Sequence, residues 1–162
     1  MKFVHIADVH FDAPFTTLET KGLSETRRLE QRNAFKKVID YIKTNGIPYL
    51  FICGDLYEQE YIRESTIRYI NGLFETIPNT KIFIVPGNHD PYIKNSYYKT
   101  FEFAENVKIF TGNLEKIEDE NVNIYGYGFE DFYMQSGMED KIQIDDKSKI
   151  NILLTHCDLG RS

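Results

Sequence analysis

The sequence has little cysteine, no long apolar run and no excess of positive charge. Its two cysteines, Cys53 and Cys157, lie in or beside apolar runs and form no C-x-x-C pair, which is not the pattern of a disulfide scaffold or a thiolate zinc site. No segment approaches the roughly 18 apolar residues of a membrane span. The first ten residues are interrupted by His5 and Asp8 before a signal-peptide core can form. We therefore expect a soluble, cytoplasmic protein with no membrane partner.

The charge balance limits the kinds of partner that the surface can attract. A formal net charge of -6 argues against a broad basic surface, so binding of nucleic acid would need local lysines, a metal site, or both. The 162 residues are 41% hydrophobic, which suits one domain of ordinary size. No repeat, low-complexity tract or Pro/Gly-rich linker marks a second one. We predict a single domain over residues 1–162.

Short apolar runs rich in β-branched and aromatic residues predict five strands. Near-continuous hydrophobicity in the first three and the last indicates strands that are buried on both faces, as in a sheet covered by helices. The order strand, helix, strand, helix, strand predicts a parallel core with right-handed crossovers in the first half. The second half is richer in strands. The predicted strands are residues 3–7, 49–53, 82–85, 122–127 and 150–155.

Apolar residues at helical spacing predict two amphipathic helices, over residues 24–43 and 65–77, and a third, weaker helix over residues 97–104. Gly46 and Pro48 are stop signals for the first helix. Residues 129–149 lose this pattern and become polar and acidic. We expect an excursion there with one short strand around Ile142 and Ile144.

Polar side chains follow four of the five predicted strands. In open α/β sheets, ligands bind outside the carboxyl ends of the strands, so these side chains are expected to converge. Each motif alone is also typical of a turn, a helix cap or a satisfied core histidine. Together they offer carboxylate, imidazole and amide oxygen without thiolate, which suits manganese, iron or zinc in a hydrolytic site. The converging metal-ligand candidates are Asp8, His10, Asp55, Asn88 and His156.

The segment that follows the third strand, Asn88-His89-Asp90, can divide its side chains between different roles. Asp55, from the middle strand, is well placed to bridge two ions, which stand roughly 3.5–4 Å apart in two-metal sites that support in-line attack on phosphorus. Asn88 can supply an amide oxygen to a metal. His89, one residue on, would face the substrate and donate a proton to the leaving oxygen. Asp90 would orient His89 or lower the cost of its charge.

Four ordered motifs, ADVHFDAPF, ICGDLYEQE, VPGNHDP and LLTHCD, resemble those of the calcineurin-like metallophosphoesterases. In detail they resemble the SbcD-type DNA repair exonucleases, including the YhaO-like branch. The resemblance implies an α+β fold, a four-layer αββα sandwich. It also implies that Asp8, His10 and Asp55 hold one metal, that Asp55, Asn88 and His156 hold the other, and that His89 is the catalytic acid.

The same resemblance implies a reaction and its partners. The reaction is phosphodiester hydrolysis at DNA ends, activated by two divalent ions, with manganese the usual ion and zinc or iron the alternatives. The partner is an SMC-like ATPase subunit. The loop that carries Tyr57 lies beside the nucleic acid in such proteins, which makes Tyr57 a substrate-binding candidate. Packing of Tyr57 beneath the loop is the alternative.

One departure from the family pattern concerns the closing motif Gly-His-x-His, which gives each metal one more ligand. The sequence reaches Ser162 without it, so we expect a truncated domain with incomplete C-terminal strands and weakened metal affinity. An open sheet edge would allow pairing with another chain, for example as a homodimer. The alternatives to a DNA exonuclease are a phosphomonoesterase or cyclic-nucleotide phosphodiesterase of the same superfamily, and an inactive, metal-poor interaction module.

Overall fold

The computed structural model describes residues 1–14, 21–134, 142–144 and 146–157. These residues form three helices and seven strands. Helices and strands alternate in the first half of the chain and strands predominate in the second, as the sequence predicts. In chain order the elements are β1 (Val4–Ile6), α1 (Lys21–Asn45), β2 (Tyr49–Cys53), α2 (Glu64–Glu75), β3 (Lys81–Val85), α3 (Tyr97–Thr100), β4 (Val107–Ile109), β5 (Glu115–Asp119), β6 (Val122–Gly126) and β7 (Ile150–Leu154).

The strands form two sheets. The first has the order β1-β2-β3-β4 and all its neighbours are parallel, which confirms the parallel core expected from the alternation of strands and helices. The second has the order β5-β6-β7, with β5 antiparallel and β7 parallel to β6. Because β1, β2 and β3 are parallel, their carboxyl ends lie at one edge of the first sheet.

The sequence of the middle strand β2 is apolar almost throughout because both of its faces are covered. Leu50 and Ile52 pack with the helices in one hydrophobic cluster, whereas Phe51 and Cys53 pack in a second cluster against residues of the second sheet. Side chains that alternate across a strand are all buried when both faces are covered. Full burial of each large one contributes about 1.5–3 kcal/mol.

The layers therefore follow the expected sandwich. All three helices of the described residues contribute to the cluster on one face of the first sheet, and the second sheet packs on the other face. The structure thus has a helical layer and two sheets, consistent with the α+β sandwich. Among the described residues, no helix combines the length and the apolar character that a membrane crossing requires.

Two strands were not predicted, and both lie at sheet edges. β4 has only three residues, Val107–Ile109, and β5, Glu115–Asp119, has a single apolar residue, Ile117. An edge strand has one open side and needs few apolar residues, so its sequence resembles a loop. β5 is fixed instead by a two-residue hairpin, because Asp119 pairs directly with Val122.

The largest differences between the predicted and the observed element bounds lie at three places. Helix α1 begins at Lys21, before the predicted start, and ends at Asn45, next to Gly46 in the left-handed region with φ 58. Helix α3 is a single turn, because Phe101 is already extended. Residues 142–144 form no strand, so the strand expected around Ile142 and Ile144 is wrong for these residues.

An ion pair between an exposed lysine and a largely covered aspartate joins the two sheets at the end opposite the polar loops. Asp119 of β5 accepts a hydrogen bond from the hydroxyl of Tyr49 at 2.8 Å and pairs with the ammonium group of Lys81. The hydrogen bond from Lys81, followed by that from Tyr49, lowers the pKa of Asp119 to about 2. The ionised carboxylate therefore stabilises the contact between the sheets.

We expect Asp119→Asn to lower the free energy of unfolding by about 1–2 kcal/mol at pH 7. Because the folded pKa of Asp119 is depressed, its contribution is present above the unfolded value of about 3.9 and is lost as the pH falls toward about 2. The difference between the two proteins in urea unfolding should therefore be smaller at pH 3 than at pH 7. Glu118→Gln, which removes an exposed carboxylate from the same strand, is the matched control, and an equal loss in both variants would contradict the prediction.

Candidate metal centre

The loops that follow β1, β2 and β3 lie side by side at the carboxyl edge of the first sheet. The backbone N–H of Asp8 donates to the carbonyl of Gly54 at 3.2 Å, and that of His10 donates to the carbonyl of Asp55 at 2.9 Å. Gly54 in turn donates to the carbonyl of Val85 at 2.8 Å. Backbone hydrogen bonds thus hold the three loops in register beyond the ends of their strands.

The backbone is strained at the residues predicted to bind metal. Asp8, His10 and Asp55 have φ of 54, 52 and 55 degrees, in the left-handed region that residues with a Cβ seldom adopt. Conformations of this kind cost about 1–3 kcal/mol each and concentrate at functional sites. Three such conformations in two adjacent loops indicate that these side chains are held in place at a cost in local stability.

Two glycines allow the loops to approach each other this closely. A Cβ on Gly54 would lie 2.3 Å from Cγ of His156, and a Cβ on Gly87 would lie 2.2 Å from Oδ1 of Asp55. Both distances are far inside van der Waals contact. The glycines of the CGD and PGN segments are therefore needed because ligand-bearing side chains occupy the space beside them.

The candidate ligand atoms converge on the carboxylate of Asp55, which is 3% exposed. Its Oδ2 lies 3.3 Å from Nε2 of His156 and 3.7 Å from Nε2 of His10, and Asp8 Oδ1 lies 3.9 Å from the same His10 nitrogen. Two ligands on one ion with bonds of about 2.1 Å stand about 3.0–3.5 Å apart. The oxygen and imidazole donors are therefore spaced as a divalent metal requires, with small shifts, and the residues fit such an ion.

His156 is oriented by the backbone of β2. Its Nδ1 lies 3.0 Å from the carbonyl oxygen of Cys53, so Nδ1 carries the proton and Nε2 faces Asp55. The hydrogen bond with Asp55 raises the pKa of His156 to about 9. Burial by itself raises the pKa of Asp55, but hydrogen bonds from His156 and from the N–H of His89 outweigh it and lower the pKa. A cation bound here would replace the proton on His156 Nε2.

Glu58 joins the metal cluster to His89, and sequence reasoning missed it. Its Oε1 lies 2.7 Å from Nδ1 of His10, and its Oε2 lies 3.0 Å from Nδ1 of His89. The two imidazole rings meet edge to face at 4.9 Å. One carboxylate therefore accepts from both rings and leaves Nε2 of each for other contacts. The available signal was its position three residues after Asp55 in the same polar segment.

The environment of His89 favours its charged form. Partial burial by itself lowers the pKa of His89, but the hydrogen bond from its ring to the Glu58 carboxylate and the charges of Glu58, Asp55 and Asp90 outweigh it and raise the pKa. The side chain is 46% exposed. His89 thus combines access to solvent with surroundings that favour its protonated form. Asn88 precedes His89 in the chain, and both residues line one cavity.

Asp90 does not orient His89 through a hydrogen bond among the described residues, although its charge helps to raise the pKa of His89, which was the second of its two expected roles. Its side chain is fully buried and accepts hydrogen bonds from the backbone N–H of Gly87 at 2.6 Å, of Leu56 at 2.7 Å and of Asp55 at 3.0 Å. A fourth comes from the hydroxyl of Tyr98 at 2.6 Å. Burial raises the pKa of Asp90 to about 6. Asp90 therefore ties the loops after β2 and β3 together beneath the site.

The expected contact of Tyr57 with a substrate is wrong. Tyr57 is fully buried, its hydroxyl lies 3.3 Å from Oγ of Ser96, and its ring packs 5.0 Å from that of Tyr98. The loop pairs here with Phe11 through an isolated parallel bridge, which turns the ring inward. Tyr57 supports the loop from below, which was the alternative interpretation.

Comparisons with known proteins agree with this site. The family model described as calcineurin-like phosphoesterase matches residues 1–162. The chain is also similar to "Uncharacterized metallophosphoesterase YhaO" of Bacillus subtilis (strain 168), with 21% identity over 140 residues. That match covers 80% of this chain and 34% of the relative, so the chain spans about a third of the relative's length. Because the family model matches the whole chain, the protein belongs to the calcineurin-like phosphoesterases.

Proposed function

We propose that the protein hydrolyses phosphodiester bonds at DNA ends. Metal-dependent hydrolysis of phosphoesters is the chemistry of its family. The observation that carries the proposal is the convergence of two adjoining groups of possible metal ligands, Asp8 with Asp55 and His156, and His10 with Glu58 and His89. The choice of DNA is supported by the likeness of the four motifs to those of the SbcD-type exonucleases.

We propose that the ligands divide between two metal positions. Asp8, His10 and Asp55 would hold one divalent ion, and Asp55, Asn88 and His156 the other, with manganese the proposed ion. Such ions polarise the phosphoryl group and lower the pKa of a water nucleophile. The buried carboxylate of Asp55 would be shared by both positions, and bound cations would take over the compensation of its charge from His156.

His89 is the proposed general acid. Departure of an alkoxide from phosphorus is slow unless its oxygen receives a proton. The charges around His89 raise its pKa and so favour the protonated ring, and Glu58 fixes Nδ1 so that Nε2 is the atom that donates. The partial exposure of the ring gives a substrate access to that atom.

The partners remain proposals that follow from the same likeness. An SMC-like ATPase subunit and a second copy of this chain are the two that we propose. The relative YhaO is about three times longer than the matched segment, which covers 34% of it, so contacts with an ATPase need not involve the residues described here.

Manganese titration by calorimetry, with Asp55→Asn beside the wild-type protein, tests the proposal. Asn keeps the size of the side chain but loses the charge that both positions share, so we expect the affinity for manganese to fall at least 10-fold. Asp40→Asn, which alters an exposed carboxylate of α1, should bind manganese as the wild type does. Unchanged affinity in Asp55→Asn would overturn the metal site.

Substrate competition then tests the choice of diester. The metal-loaded protein should release mononucleotides from duplex DNA and should hydrolyse bis(p-nitrophenyl) phosphate faster than p-nitrophenyl phosphate. Preference for the monoester would favour the phosphomonoesterase alternative. Hydrolysis of the small diester without cleavage of DNA would retain the chemistry and reject DNA as the substrate.

A further inference from the structure

A cavity of about 350 Å³ opens beside His89, at the edge of the cluster of metal-ligand candidates. Asn88 and His89 form the wall nearest the site, and Phe132 and Tyr133 form another wall. Ligand pockets typically measure about 300–1,000 Å³, so this one has room for a single small group. Its place next to the proposed acid makes it the space that a leaving group would enter.

The two aromatic residues have little to do with the core. Tyr133 is 93% exposed and Phe132 is 37% exposed. Neither belongs to the two hydrophobic clusters, and burial of so little area contributes little to folding. Large apolar side chains placed together in solvent at the rim of a polar cavity are typical of a surface that contacts a ligand.

The charges in the cavity select what that ligand can be. The lining includes Glu58 and Glu60 and no lysine or arginine among the described residues. A second phosphate would meet two carboxylates and no cation, which is unfavourable. A planar uncharged group can instead stack on the rings.

We propose that this cavity binds the nucleobase of the leaving nucleoside, stacked on Phe132 and Tyr133. The inference rests on the proposed function, because the leaving oxygen must lie within reach of His89 for protonation. The nucleoside attached to that oxygen then extends into the adjoining cavity. Stacking tolerates every base, so the cavity holds the leaving nucleoside without reading sequence.

Dinucleoside monophosphates with and without a base test the proposal. Each substrate is prepared intact and with an abasic sugar on either side of the phosphate. We expect removal of one base, on the leaving side, to lower kcat/KM by about 10-fold. Tyr133→Ala and Phe132→Ala should lower kcat/KM for the intact substrate by a similar factor and leave the leaving-side abasic substrate unchanged. Tyr133→Phe should retain the wild-type value.

Tyr41→Ala is the matched control, because Tyr41 is an exposed tyrosine of α1 at 57% exposure, and it should change neither substrate. Equal losses on the intact and the abasic substrates in Tyr133→Ala would overturn the proposal. If the wild type cleaves no dinucleotide, the proposed function fails, and binding then tests the cavity alone. Fluorescence of 2-aminopurine deoxyriboside should be quenched by the wild type and not by Tyr133→Ala. Absence of any difference would reject the cavity as a base site.

Discussion

Replacing His89 with glutamine is expected to lower turnover of a phosphodiester by about 10²–10⁴-fold, the usual contribution of a positioned general acid. Glutamine keeps hydrogen-bonding capacity but has no proton to transfer. The ring of His89 contacts Glu58 and the ring of His10 and is not among the proposed metal ligands, so the manganese content should not change. Rates with bis(p-nitrophenyl) phosphate and metal analysis of the same samples check both parts.

The pH dependence of the same reaction distinguishes an acid from a residue that only shapes the site. The Glu58 carboxylate stabilises the charged imidazolium and thereby raises the pKa of His89 against the effect of burial. In Glu58→Gln the pKa of His89 should fall, and the alkaline limb of the rate profile should move to lower pH. His5→Gln, which alters an exposed histidine of β1, should leave the profile unchanged. Full activity in His89→Gln with metal retained would place the acid elsewhere.

The convergence of the ligands could be predicted from the sequence because it depends only on topology. Strands that alternate with helices become parallel, and parallel strands end at one edge. Apolar runs end shortly before Asp8, Asp55 and His156, so the positions of these three residues could be predicted without knowledge of any loop. The same logic placed His89 at this edge.

The side chains two or three residues farther into the loops could not be predicted, for a conformational reason. Asp55 adopts φ 55, which interrupts the alternation of an extended chain and changes the direction of every later side chain. As a result Tyr57 lies in the core and Glu58 reaches the histidines. Asp90 was assigned to His89 because it is its neighbour, whereas the chain turns there and its carboxylate faces three backbone N–H groups.

The carboxylate that contacts His89 thus comes from the loop after β2 and not from the residue that follows His89 in the chain. Glu58 is half-buried and contacts both histidines, while Asp90 contacts neither ring and is closed off from solvent. A polar residue next to a predicted acid in the sequence need not contact it, because the direction of its side chain depends on the backbone conformation between the two. Substitutions of Glu58 and of Asp90 are therefore expected to have different effects.

Asp90→Ala is expected to lower the free energy of unfolding by about 3–5 kcal/mol, because truncation leaves three backbone N–H groups and the hydroxyl of Tyr98 buried without an acceptor. With its pKa raised to about 6, the wild-type carboxylate is ionised at pH 7.5 and accepts all four hydrogen bonds. Urea unfolding at that pH measures the loss. Asp40→Ala, which removes an exposed carboxylate of α1, should change stability by less than about 0.5 kcal/mol.

Asp90→Asn keeps the prediction testable if the alanine variant fails to fold. Asparagine retains one carbonyl acceptor, but its amide donors face the N–H groups that Asp90 accepts from, so we expect an intermediate loss of about 2 kcal/mol. Metal affinity should weaken in both variants, because Asp90 joins the loop of Asp55 to the loop of Asn88 and His89. A stable Asp90→Asn protein with unchanged manganese affinity and an altered pH–rate profile would instead make Asp90 the partner of His89.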